Sequence, residues 1–169
     1  MAFSYKEIKY KFLELIPLFL LFFISLNGNS VIDFSFFSIN VHYILIYYWV
    51  LKRPQALGYG FIFLSGLIND VVLSLPLGTS ALCYLFVSLV AVYVGNATVR
   101  SSLFTDWFTF IIAILIGNFL YFFLMNKFAE VRVEYISVFY NSFFTFLFYP
   151  FFWVLFEFYR KFIIVRSND

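Results

Sequence analysis

The 169-residue chain is 64% apolar and 12% charged, with a net charge of +2 at pH 7 and a mean hydropathy of +0.95. Soluble domains carry about a quarter of their residues as Asp, Glu, Lys or Arg, so composition excludes that class, and so small a net charge gives no nucleic-acid surface. One cysteine, Cys83, excludes an internal disulfide and a cysteine-based metal cluster. Apolar runs such as Ile111–Leu124 and Phe143–Phe156 need lipid as their solvent. The length suits a single domain over residues 1–169.

The expected fold is an all-α integral membrane bundle of six transmembrane helices, at about 12–26, 36–51, 55–75, 79–97, 107–125 and 136–159. The first begins with a basic stretch, as a signal peptide would, but Glu14 and Pro17 inside its apolar part argue for a retained helix. Asn27-Gly28-Asn29-Ser30 is turn chemistry. Lys52-Arg53-Pro54 closes the second helix and places Pro in the first turn of the third. Pro76-Leu77-Gly78 forces a tight reversal into the fourth. The 28 Phe and 13 Tyr fit either aromatic belts at the interfaces or a bias toward AT-rich codons; their spread through the spans favours the second.

Six spans place Lys6, Lys9, Lys11, Lys52, Arg53, Arg100, Arg160, Lys161 and Arg166 on one side, and Lys127 and Arg132 on the other. The positive-inside rule then puts both termini in the cytoplasm; five or seven spans would scatter the charges.

Small residues mark helix contacts in lipid. On the third helix Gly58, Ser65 and Asn69 share one face and Ala56, Gly60 and Asp70 another, so it is expected at the centre, packed on both sides. The fourth carries the stripe Ala81, Ser88, Ala91 and Gly95. On the sixth, Asn141, Thr145 and Tyr149 lie one turn apart, and Pro150 should kink the helix.

Among ionisable groups, Glu14 and Glu157 are near span ends and are expected to reach the interface beside Lys11, Arg160 or Lys161. His42 has no companion ligands for a metal. Asp70 lies deeper and needs a partner. Its candidates are Asn69, His42, or the backbone amides that open the fourth helix near Thr79 and Ser80. Its plain role is to cap that turn and pin the third and fourth helices together; a partner-binding or conformational role is the alternative. No nucleophile–base pair, phosphate loop or metal spacing occurs, so neither catalysis nor a cofactor is expected.

The stretch Gly66-Leu67-Ile68-Asn69-Asp70 through Pro76-Leu77-Gly78-Thr79-Ser80-Ala81-Leu82 resembles the signature of the bacterial rod-shape-determining MreD family. Gly66, Asp70, Pro76, Leu77, Gly78, Ala81 and Leu82 carry the match, and the Tyr47-Tyr48 helix leading into Pro54 also resembles that family. Ser74 departs from it, standing where many members have Gly, and a looser turn is expected there. The resemblance implies a non-catalytic inner-membrane scaffold of the cell-elongation complex. It implies association with MreC and, through it, with MreB filaments and the peptidoglycan synthases that maintain cell shape. It also implies a fold similar to the substrate-binding subunits of energy-coupling-factor vitamin transporters, which supplies a second reading, a vitamin-capturing subunit. Against that reading, the first helix lacks a small-residue docking face and the outer loops are poor in polar groups. A channel would need more buried charge.

Overall fold

The computed structural model describes residues 13–28, 33–34, 37–98, 102–128 and 135–167. The expected starts of the first two spans, Phe12 and Phe36, lie outside these, as do Lys6, Lys9, Lys11, Arg100 and Arg132. Among the described residues there are six helices: α1 (Ile16–Asn27), α2 (Val41–Lys52), α3 (Tyr59–Val72), α4 (Thr79–Ala97), α5 (Leu103–Phe128) and α6 (Tyr135–Ser167). A two-residue antiparallel ladder, β1 (Asp33–Phe34) with β2 (Phe37–Ser38), precedes α2. Helices α4, α5 and α6 are long and apolar enough to cross a bilayer. At 12, 12 and 14 residues, α1, α2 and α3 fall short of the roughly 20 that a full span requires.

Local chemistry sets these bounds. A turn at Leu15 precedes α1, and Pro17 sits in its first turn, where a missing N–H costs nothing. The second helix starts at Val41, later than expected. Its cap is Asn40, whose side chain accepts from Tyr43 N at 3.1 Å, and Phe37–Ser38 before it is in the ladder. Pro54 does not open α3: residues 54–57 form a separate turn, Ala56 N donating to Arg53 O, and α3 follows Gly58 at φ +68°. Ser102 starts α5 four residues early, its hydroxyl accepting from Thr105 N and its carbonyl from Asp106 N. α6 runs through Pro150 and eight residues past Tyr159, because Arg160 and Lys161 have long stems and their charges do not end a helix.

The centre of the bundle is α2, not α3 as the small-residue pattern predicted. Nine consecutive residues, His42–Val50, are buried, whereas α3 buries one face, Ile62, Ser65, Gly66, Asn69 and Asp70. The second face expected of α3 does not form: Asp70 is buried with the first, Ala56 precedes the helix, and Gly60 is exposed, where a Cβ would meet nothing. Small residues report where two backbones approach closely; enclosure is set by the number of neighbours, and α2 contacts α1, α4, α5 and α6. The α4 stripe is divided too. Ala81 lies against Gly66 of α3, while Gly95 faces Leu51 at the end of α2.

Packing is tightest where glycine permits it. A Cβ on Gly66 would run into the backbone of Ala81, and one on Gly117 would stand 2.9 Å from the Tyr43 ring. Around α2 the core is aromatic. Phe110 stacks on Tyr149 with centroids 4.5 Å apart, Tyr47 packs against both, and Trp49 and Tyr48 meet Phe156. The outward surfaces are large apolar side chains, most continuously along α6 from Tyr135 to Phe162.

Candidate functional site

The motif from Gly66 to Leu82 folds as one unit joining α3 to α4. α3 ends in a Schellman closure: Leu75 N donates to Asp70 O at 2.9 Å and Ser74 N to Val71 O at 3.3 Å. That geometry needs a left-handed residue at the position of Ser74, and Ser74 has φ +54°. It is the one non-glycine residue at positive φ among the described residues. The turn is therefore closed, not loosened as the missing glycine implied, and Ser74 bears the strain. Pro76–Thr79 follows as a hydrogen-bonded turn, with Gly78 at φ +97°, ψ −11°, the conformation that the third residue of a type II turn requires.

Gly78 is also the N-cap of α4, and it has no side chain with which to cap. Asp70 does this from the neighbouring helix. Its carboxylate accepts from Gly78 N at 2.8 Å through Oδ2 and from Ser80 N at 2.7 Å through Oδ1. A fully buried carboxylate thus satisfies amides that would otherwise be orphaned, at the positive end of the α4 dipole. Of its three candidate partners, the amides are the ones engaged. Asn69 donates instead to Ser80 Oγ at 3.0 Å. His42 lies against Ser25 and stacks on Tyr84. Because the Ser25 hydroxyl spends its hydrogen on Leu21 O, the 3.1 Å contact has His42 Nε2 donating.

The seven motif residues divide by exposure. Gly66, Asp70 and Ala81 are buried, Pro76 and Gly78 are half-buried, and Leu77 and Leu82 are exposed, Leu77 at 74%. The buried members set how α3 and α4 meet; Leu77 and Leu82 offer apolar surface beside the turn.

The opposite end of the bundle carries the ion pairs. Lys52, closing α2, lies 2.5 Å from Asp106 in the first turn of α5, both side chains nearly inaccessible. Trp153 Nε1 donates to Asp106 Oδ2 at 2.9 Å, and Lys52 Nζ stands over the Trp153 ring. Glu157 accepts from Tyr48 at 2.9 Å and pairs with Arg160, with Lys161 at 3.9 Å. Glu14 pairs with Arg53, a partner the sequence reading did not name; Lys11 lies outside the described residues.

Sequence reading missed the Lys52–Asp106 pair. A signal was present: in an up-and-down bundle the end of α2 and the start of α5 lie at one level, so a Lys and an Asp there can meet. Among the described residues no three His, Cys, Asp or Glu side chains are grouped to hold a metal, and Cys83 is buried and free. No protein-family model matches the chain, and neither a curated protein nor a solved structure matches it.

Proposed function

We propose that the chain is a non-catalytic scaffold of the bacterial cytoplasmic membrane, crossing it six times with both termini in the cytoplasm. In this reading it holds MreC, and through MreC the MreB filament and the peptidoglycan synthases, at the site of wall elongation. The observation that carries the reading is the closed unit from Gly66 to Ala81. The residues that resemble the MreD signature make the α3–α4 backbone contact, the Asp70 cap and the left-handed Gly78.

Three further features support six crossings. The four ion pairs involve the start of α1, the end of α2, the start of α5 and the late turns of α6, which coincide when successive helices alternate in direction. Six alternating spans would put nine of the eleven basic residues of the sequence on that side. The short helices are extended by apolar flanks, residues 54–57 and 73–77 in the case of α3.

Affinity capture of the tagged chain from its native membranes in a mild detergent is the test. MreC among the retained proteins is the expected result. An energising ATPase subunit in its place would establish the transporter reading, and a stable, folded chain that retains neither would end the scaffold reading.

A further inference from the structure

α6 is fastened differently from the other helices. Glycine joins α3 to the backbone of α4 at Gly66, and at Gly117 it lets the Tyr43 ring of α2 lie against α5. The 33 residues of α6 include no glycine or alanine, and most of its surface is exposed. It is attached by ring packing, Tyr149 on Phe110 and Tyr47 and Phe156 on Tyr48 and Trp49, and by side-chain hydrogen bonds that fall into two groups. Before Pro150, Asn141 bonds Ser38, Ser142 bonds Asn118, and Thr145 Oγ1 accepts from Asn40 N at 2.8 Å. After Pro150, Trp153 bonds Asp106, Glu157 accepts from Tyr48, and Tyr159 donates to Leu13 O at 2.7 Å. Between the groups, Pro150 has no N–H for the carbonyl of Phe146, and the indole of Trp107 supplies the missing donor at 2.8 Å. The helix is thus interrupted in its own ladder where its attachments change partners, the usual place for a helix to bend.

We infer that α6 is a two-part lever hinged at Pro150. The segment before the proline is fixed to α5 and to the residues that open α2. The segment after it, Phe151–Ser167, swings away from α2 and α5 when the Trp153–Asp106, Tyr48–Glu157 and Tyr159–Leu13 contacts are released. Closed, this arm covers the Lys52–Asp106 pair, whose side chains are 6% and 1% exposed; open, it admits water to them. Its far end carries Arg160 and Lys161 at the charged end of the bundle, so the swing changes what that face presents.

Pulsed electron–electron spin resonance on the full chain in lipid nanodiscs, in a Cys83→Ala background, tests the lever. One label pair, Gln55→Cys with Phe158→Cys, reports the arm; a second, Leu77→Cys with Phe139→Cys, reports the fixed segment. The latch is weakened by Trp153→Phe with Tyr48→Phe, which remove one donor each and leave the ion pair intact. The expected result is a second, longer distance for the arm pair, at least a tenth of the population, with the fixed pair unchanged. Adding Pro150→Ala should reduce that second population at least twofold. An unchanged arm pair overturns the lever, as does a change of both pairs together. If the double variant does not fold, Tyr48→Phe alone is judged by the same two outcomes.

Discussion

The indole of Trp107 donates to the carbonyl of Phe146 at 2.8 Å, and that carbonyl is the one Pro150 leaves without a partner. The two rings also stack, centroids 5.2 Å apart. A proline inside a helix frees the oxygen four residues back, and in an apolar surround such a group must find a donor on a neighbouring helix. Trp107→Phe keeps the ring and removes the donor, so it should cost about 0.5–1.5 kcal/mol. In a Pro150→Ala background the helix makes that bond itself, and the same substitution should cost measurably less. Thermal melting of the four proteins in one detergent gives the cycle; equal costs in both backgrounds would mean that the indole does not serve the proline.

The turn between α3 and α4 contains one strained residue and one relaxed one. Ser74 holds φ +54° without being glycine. Ser74→Gly should therefore stabilise the protein by about 0.5–1 kcal/mol, as relief of a left-handed conformation does. Gly78 at φ +97° is the reverse case: a Cβ there meets no atom, yet the backbone angle itself disfavours one. Gly78→Val should destabilise by about 1–2 kcal/mol and lower the melting temperature, whereas Gly95→Ala, which only approaches Leu51, should change it less. Comparison of the three melting temperatures decides this, and a destabilised Ser74→Gly protein would contradict it.

Asp70→Ala removes the acceptor for two amides, the half-buried Gly78 N and the buried Ser80 N. A loss of about 1–3 kcal/mol is expected for leaving such groups unpaired. Glu14→Ala breaks the exposed pair with Arg53 and should cost less than about 1 kcal/mol. Denaturation in mixed micelles of the two variants side by side should separate them clearly; identical curves would remove Asp70 from its capping role.

The Lys52–Asp106 pair is buried on both sides, so breaking it differs from replacing it. Asp106→Ala leaves the ammonium of Lys52 buried without its carboxylate and should cost about 3–5 kcal/mol. Lys52→Met with Asp106→Leu removes both charges and should recover most of that loss. Expression level and melting temperature of the single and double variants measure it. A double variant as unstable as the single one would show that the pair contributes more than mutual neutralisation.

These particulars show where the sequence was legible. The α3–α4 turn could be read because proline, glycine and a capping carboxylate act over a few residues, and each has few conformations that suit it. Asp70 could be matched to the amides at Ser80 because they are ten residues apart on a single hairpin. Lys52 and Asp106 lie on separate helices, 54 positions apart, and no spacing within one helix pairs them. The central place of α2 was hidden for a different reason. When all helices are apolar on every side, hydrophobic periodicity no longer separates an enclosed helix from one facing lipid. The bonds from Asn40 to Thr145 and from Tyr48 to Glu157 that seat α6 likewise follow from which helices adjoin, which spacing within one helix does not encode.

The scaffold reading places the ion-paired end of the bundle in the cytoplasm, with the Asp70 turn at the other face. Single cysteines in a Cys83→Ala background, labelled in intact cells with a membrane-impermeant maleimide, measure this directly. Leu77→Cys and Asn126→Cys, exposed at one end, should label from outside. Gln55→Cys and Ser102→Cys, exposed at the other, should label only after the membrane is opened. Labelling of Gln55→Cys or Ser102→Cys in intact cells, with Leu77→Cys and Asn126→Cys protected, would invert the topology and contradict the cytoplasmic placement of both termini.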